Sequence, residues 1–271
     1  MAKLVRASLL FAVLSSAPGA GKAQSQACLT PSSQMVFIHA PSVVYGQTVG
    51  VNVYLPPCYT PDGPAAYPVI YLLHGSGADE TQWPDLKVQA CADALIAGGA
   101  SPFVVVMPGM AYYNPIDYGE FVLRDLLPFI ESHYSVERER AGRGIGGLSI
   151  GAYYALRVAF THPEMFAAVG AYSPVVALGG KDDPLTLARL LDVKQLQGLA
   201  VDLNVGDQDS LLANTRQLAG VLQARGVHVT VSVGQGGHNR VYWRAHTGDY
   251  LAFYVHAFAS GRVPAPTATT F

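Results

Sequence analysis

The chain has 271 residues, half of them hydrophobic and 13 % charged, with a formal net charge of -2. A charged share about half the usual ~25 % supplies apolar material for a large core and argues against long disorder. The basic excess that neutralises phosphates is missing, which excludes a nucleic-acid partner of the ordinary electrostatic kind.

At the N-terminus Lys3 and Arg6 precede the apolar run SLLFAVLSSA, and small residues follow around Ala20 to Ala27. That order reads as an export signal over residues 1–27. The run is too short for a bilayer, and no later segment reaches the roughly 20 consecutive apolar residues a span needs. The expectation is a secreted or periplasmic protein with no transmembrane segment. Cys28 follows SQA, a poor setting for lipid attachment. With Cys58 and Cys91 it makes three cysteines, so in an oxidising compartment the simplest arithmetic is one bridge and one thiol. Between Cys28 and Cys58 lie two strand-like runs, QMVFIHA and TVGVNVYL, joined near Tyr45 and Gly46. The two cysteines flank the ends of that hairpin, which makes them the preferred pair.

After the hairpin the pattern turns from antiparallel to alternating. YPVIYLLHG and PFVVVMPG are short continuous apolar runs ended by Gly or Pro, as in parallel strands buried on both faces. DLKVQACADALIAGG between them has helical spacing and a glycine stop, and EFVLRDLLPFIESHY predicts a second helix. Strand RGIGGLS, helix IGAYYALRVAFTH, strands FAAVGAYS and LAVDLNVG, helix SLLANTRQLAGVLQARG, strand VHVTVSVG and helix VYWRAHTGDYLAFYVHAFA complete the series. This predicts one α/β domain over residues 28–262, a doubly wound, mostly parallel sheet with an N-terminal antiparallel hairpin. The tail, residues 263–271, lacks periodicity and reads as flexible. Residues 174–198 hold the short helical piece DPLTLARLL, where either a lid or specificity element or a plain surface crossover fits.

GLSIG, residues 147 to 151, fits the G-x-S-x-G nucleophile elbow. Alone the pentapeptide is weak; its place where an apolar strand meets a helix strengthens it. Gly147 and Gly151 then have a physical reason, because a side chain at either collides as strand and helix close around Ser149. A serine hydroxyl needs a base within hydrogen-bond reach and a third group to orient that base. In this arrangement the partners follow in the order Ser, acid, His. LAVDLNVGDQDSLL places Asp207 and Asp209 at a later strand end, and both stand as acids. VTVSVGQGGHNRVYW places His238 on a glycine-rich loop before the last helix, with His246 as the fallback inside that helix. The oxyanion donors are the backbone N–H of Ile150 and one from the loop LLHGSGADETQW, Ser76 or Gly77, each worth about 3 kcal/mol. His74 in that loop is read as structural. Tyr112, Tyr113 and Tyr118 on the loop PGMAYYNPIDYG, with Trp83 and Trp243, are candidates for an aromatic substrate pocket.

Other chemistries find no support. There is no H-E-x-x-H pair and no C-x-x-C, so no metal is called for. GRGIGG only imitates a dinucleotide fingerprint, because its glycines precede or lie within a strand. No cofactor is expected, and hydrolysis or acyl transfer remains, with a small-molecule or polymer-linked ester as the partner.

In combination, VNVYLPPCY, YPVIYLLHGSGADETQW, GRGIGGLSIGAYYALRVAFTHPEMFAAVGAYSP, VGDQDSLL and GGHNRVYWRAH resemble the esterase D-like branch of the α/β-hydrolases. That branch includes feruloyl esterases, S-formylglutathione hydrolases, enterochelin esterases and mycolyltransferases. The resemblance implies an α/β-hydrolase fold with Ser149 as nucleophile, Asp209 as acid in a G-x-x-D setting and His238 as base before Trp243, with Asp207 in reserve. It also implies a carboxylic ester hydrolase working through an acyl-enzyme on small or aryl, feruloyl-type esters. Transfer to a sugar or lipid alcohol is the alternative, and an inactive binding protein the third reading. Many relatives carry Met-Gly-Gly after the serine, whereas this chain has Ile150, Gly151 and Ala152. The backbone donor survives that change while the pocket floor differs.

Overall fold

β-Branched and aromatic residues dominate the short apolar runs. The computed structural model, which describes residues 28, 30–63, 66–110 and 115–260, builds them into one eight-stranded sheet. β1 (Gln34–Ser42) and β2 (Gln47–Leu55) form an antiparallel hairpin, and β2 runs antiparallel to β4 (Val104–Pro108). The rest is parallel: β3 (Val69–Leu73), β5 (Arg143–Leu148), β6 (Ala168–Tyr172), β7 (Ala200–Gly206) and β8 (Val229–Gly234), in the order β1-β2-β4-β3-β5-β6-β7-β8. Every residue of β3 to β7 is buried, while edge strands β1 and β8 mix exposed with covered positions. A disulfide joins Cys28 to Cys58, and Cys91 keeps a free thiol. The export-signal reading and the tail, residues 263–271, lie outside the described residues.

Helices cover both faces. On one lie α3 (Pro115–Phe121), α4 (Leu127–His133), α5 (Ile150–Thr161), α6 (Pro184–Leu190) and α7 (Leu212–Ala224); on the other lie α1 (Gln82–Asp85), α2 (Val88–Ala97) and α8 (Arg240–Ser260). The sequence predicts a single helix over 120–134. The structure starts it at Pro115 and inserts a π-helical turn, Val122–Leu126, before α4. Pro128 supplies the reason: it has no N–H for an ordinary helical bond and its ring crowds the preceding turn, which the wider π turn accommodates. Within residues 174–198 the turn before α6 is fastened by a carboxylate. The buried Asp183 carboxylate accepts backbone N–H bonds from Leu178, Gly179 and Gly180 at 2.9, 2.8 and 2.9 Å and the Tyr153 hydroxyl at 2.8 Å.

The glycines of β5 are explained by α8. A Cβ on Gly144 or Gly146 would run into the Tyr254 side chain, and one on Gly146 would also strike the Gly170 carbonyl. Tyr254 is fully buried and donates its hydroxyl to Ile145 O at 3.0 Å, so the ring occupies a trough that only glycines leave open. Beside it Tyr172 and Tyr250 stack at 3.7 Å between centroids.

Asp202 of β7 is buried in the same layer. Burial, with repulsion from Asp249 second, pushes its carboxyl up to about 7. The folded protein therefore keeps a proton between roughly pH 4 and 7 that the unfolded chain has released. The contribution is most favourable below pH ~4, declines as pH rises, and is lost above ~7.

Two outcomes are expected. Gly146→Ala should lower urea-unfolding stability by about 2 kcal/mol through overpacking against Tyr254; an unchanged midpoint would contradict the trough. In the same assay Asp202→Asn should gain on wild type by about 2 kcal/mol between pH 5 and 8. A difference that is flat with pH would remove Asp202 from the acid-base balance of folding.

Candidate active site

β5 runs directly into α5, and Ser149 is the hinge residue, with φ 55° and ψ -112°. A non-glycine residue held there costs on the order of 1–3 kcal/mol, so its surroundings must hold it. They do so through the backbone. Ser149 donates its N–H to Tyr172 O at 2.9 Å, and its carbonyl accepts from Val175 N at 3.2 Å and Tyr153 N at 3.3 Å. The close approach needs both flanking glycines: a Cβ on Gly147 would strike the Gly151 backbone, and one on Gly151 the carbonyls of Leu73 and His74. Ser149 is buried, at 9 % exposure.

Two loops at the same end of the sheet bring the partners. His238 Nε2 lies 3.1 Å from Ser149 Oγ, and its Nδ1 lies 3.0 and 3.1 Å from the two oxygens of Asp209. Because Nδ1 faces a carboxylate it carries the proton, leaving Nε2 to accept the Ser149 hydroxyl hydrogen. The Asp209 side chain is wholly buried and also accepts Leu211 N–H at 2.8 Å, at the entry to α7. Asp207, the reserve acid, faces elsewhere. Its Oδ1 accepts the N–H of Gly236 at 2.9 Å, and its own N–H bonds Gly234 O at 2.8 Å, so it props the loop that carries His238. His246 is paired with Asp249 at 3.0 Å and packs at a tilt against Tyr242.

Ile150 opens α5, where the first N–H groups have no intrahelical acceptor and a helix dipole favours negative charge. Ser76 stands exposed on the loop after β3, beside Gly77 with φ 70°. That loop has anchors the sequence reading missed. Gln82 Oε1 accepts Gly75 N–H at 2.7 Å, and Trp83 donates its indole N–H to Leu73 O at 3.2 Å. A glutamine seven residues beyond the glycine gives no periodic signal that could have found it. His74 Nδ1 donates to Gly75 O at 2.8 Å, while its Nε2 is buried without a partner among the described residues. Burial holds the ring below the usual histidine range, which favours its neutral form.

The aromatic pocket needs correction. Trp83 and Tyr118 are buried at 1 % and 0 % exposure and cannot line an open pocket. Trp83 packs edge-on against Tyr172 and Tyr250; Tyr118 donates weakly to Pro108 O at 3.4 Å and packs on Tyr154 and Phe121. Trp243 is likewise buried, with its ring perpendicular to His238 at 5.0 Å. The large apolar rings do more for stability inside the two cores than at the surface, which is why they withdraw. Tyr112 and Tyr113 lie outside the described residues. Among the described residues no group of three His, Cys, Asp or Glu could hold a metal, and no helix is long and apolar enough to cross a membrane.

A parallel sheet flanked by helices, with a serine on a strained strand-to-helix turn and acid and histidine on later loops, defines the α/β-hydrolase class. The solved structure of a ferulic acid esterase superposes on it with a TM-score of 0.78 at 25 % identity, covering 84 % of this chain and 99 % of that one. Residues 42–253 match the family model described as putative esterase, and the chain belongs to that family. An esterase of Mycobacterium tuberculosis is 33 % identical over 144 residues, 49 % of this chain and 30 % of that protein. An endo-1,4-beta-xylanase/feruloyl esterase of Xylanibacter ruminicola is 31 % identical over 143 residues, 47 % of this chain and 20 % of that protein. The chain thus spans a third or less of the length of these curated relatives.

The geometry separates the two aspartates. Asp209→Ala should slow labelling of Ser149 by a fluorophosphonate roughly 1,000-fold, whereas Asp207→Ala should cost about tenfold or less. Equal losses would contradict the division of roles between them.

Proposed function

We propose that this protein is an exported serine carboxylic ester hydrolase that works through an acyl-enzyme on small or aryl esters of the feruloyl type. The observation that carries the reading is the unbroken hydrogen-bond chain Asp209–His238–Ser149, ending on a serine in a strained elbow. Ser149 Oγ attacks the ester carbonyl carbon as its proton passes to His238 Nε2, and buried Asp209 stabilises the imidazolium. The N–H groups of Ile150 and Ser76 receive the oxyanion. Collapse breaks the bond to the alcohol oxygen, which takes the proton from His238; water, deprotonated by His238 in turn, then releases the acid and restores Ser149.

The preference for aryl or short acyl groups rests on two supports. Relatives named feruloyl or ferulic acid esterase share the fold and part of the sequence. An apolar side chain also stands in solvent close in sequence to the site: Val241, three residues past His238, is 82 % exposed. Export is supported by the N-terminal sequence and by the Cys28–Cys58 bridge, which persists in oxidising compartments.

Ser149→Ala should reduce turnover of p-nitrophenyl butyrate and methyl ferulate by roughly 10,000-fold while the unfolding midpoint stays near wild type. Turnover at the wild-type rate in that variant would overturn the assignment. A wild-type enzyme that hydrolyses p-nitrophenyl esters but leaves methyl ferulate intact would overturn the aryl preference alone.

A further inference from the structure

His238 follows Gly236 and Gly237 on the loop after β8, whose backbone is held by Asp207 and Gln208 but does not itself orient the imidazole ring. Asp209 fixes Nδ1 in the plane of the imidazole. Motion out of that plane is checked by Trp243, which packs perpendicular to the ring at 5.0 Å and is itself 7 % exposed. The indole is tied at its polar end. Its Nε1–H donates to Ser173 Oγ at 3.0 Å.

Ser173 has an unusual place. It follows β6, is fully buried, and has φ 49°, the left-handed region that a serine occupies only at a cost. Its N–H is bonded to Asn204 O at 2.7 Å, which joins it to β7. The residue before it and the one two places after it hold the nucleophile: Tyr172 O accepts Ser149 N–H, and Val175 N–H is donated to Ser149 O. One residue therefore links the segment that pins Ser149 to the ring that steadies His238. A buried indole N–H needs an acceptor, and here the acceptor comes from the segment that also pins Ser149.

We propose that Ser173 is a positioning residue for the reaction. Through Trp243 it sets the His238 ring at the orientation in which Nε2 meets Ser149 Oγ. It touches neither the substrate nor the reacting atoms, and the inference rests on the Ser149, His238, Asp209 reading above.

The test is a double-mutant cycle on p-nitrophenyl butyrate hydrolysis, with kcat and KM measured separately and unfolding midpoints recorded for every variant. Ser173→Ala and Trp243→Phe should each lower kcat about tenfold at unchanged KM, since each removes the same hydrogen bond. The double variant should fall no further than the poorer single one. Ser173→Gly removes the hydroxyl and relieves the left-handed backbone, so its kcat should match that of Ser173→Ala while its midpoint is equal or higher. It also carries the test if Ser173→Ala does not fold. A purely structural role would make kcat follow the midpoint instead. Wild-type kcat in a folded Ser173 variant, or losses that multiply in the double variant, would overturn the proposal. Ser149→Ala run alongside separates the two readings. If it is inactive and the Ser173 variants are not impaired, only this inference fails; if it is active, the catalytic assignment fails and takes this one with it.

Discussion

The backbone of Ser149 is held open by its neighbour in the sheet. β5 and β6 pair in parallel up to Leu148 and Tyr172, and the ladder continues one step further, with Ser149 N–H on Tyr172 O and Val175 N–H on Ser149 O. Those bonds stabilise a conformation that costs on the order of 1–3 kcal/mol in isolation. Everything downstream depends on that step. It directs the hydroxyl out of the sheet, starts α5 at the next residue, and leaves the Ile150 N–H at a helix N-terminus where negative charge is favoured.

The opposite face of the same strand solves a different problem. Gly144 and Gly146 turn their absent side chains toward α8, and Tyr254 fills the space they leave. α8 can then lie close on the sheet, and α8 is the helix that begins two residues after His238 and carries Trp243. The glycines of β5 thus serve the serine on one side and the docking of the histidine's helix on the other. Asn239 fixes the start of that helix, its side chain accepting N–H bonds from Val241 and Tyr242 at 3.0 and 3.1 Å.

Electrostatics at the site follow from burial. Asp209 has no exposed side-chain surface, and its partners are donors: the His238 ring and the Leu211 N–H. A carboxylate out of water with few donors holds a neighbouring imidazole strongly and in one orientation. Asp207, two residues away, bonds Gly236 N–H instead and shapes the loop. The adjacent acids share one loop and divide its work. Asp202 is a third case, where burial, with Asp249 second, raises the pKa of a carboxyl that forms no ion pair among the described residues.

Much of this was legible in the residues themselves. Period-two and continuous apolar runs marked the strands because buried sheets need them, and G-x-S-x-G between a strand and a helix located Ser149, because the tight turn is a local steric matter. The order of Ser149, Asp209 and His238 along the chain followed from loops at one end of a parallel sheet. The π turn before Pro128 was not marked, since the same apolar spacing suits a regular helix. The inward fate of Trp83, Tyr118 and Trp243 also escaped, because an aromatic ring on a loop near the site has the same sequence whether it faces the core or the solvent. The turning of Asp207 toward Gly236 and of Asp209 toward His238, the anchoring of the loop after β3 by Gln82 and the link from Ser173 to Trp243 are seen only in the tertiary structure. Each depends on the direction of a side chain between elements far apart in the chain, and that direction is fixed only when the sheet is assembled and its two helical layers are packed upon it.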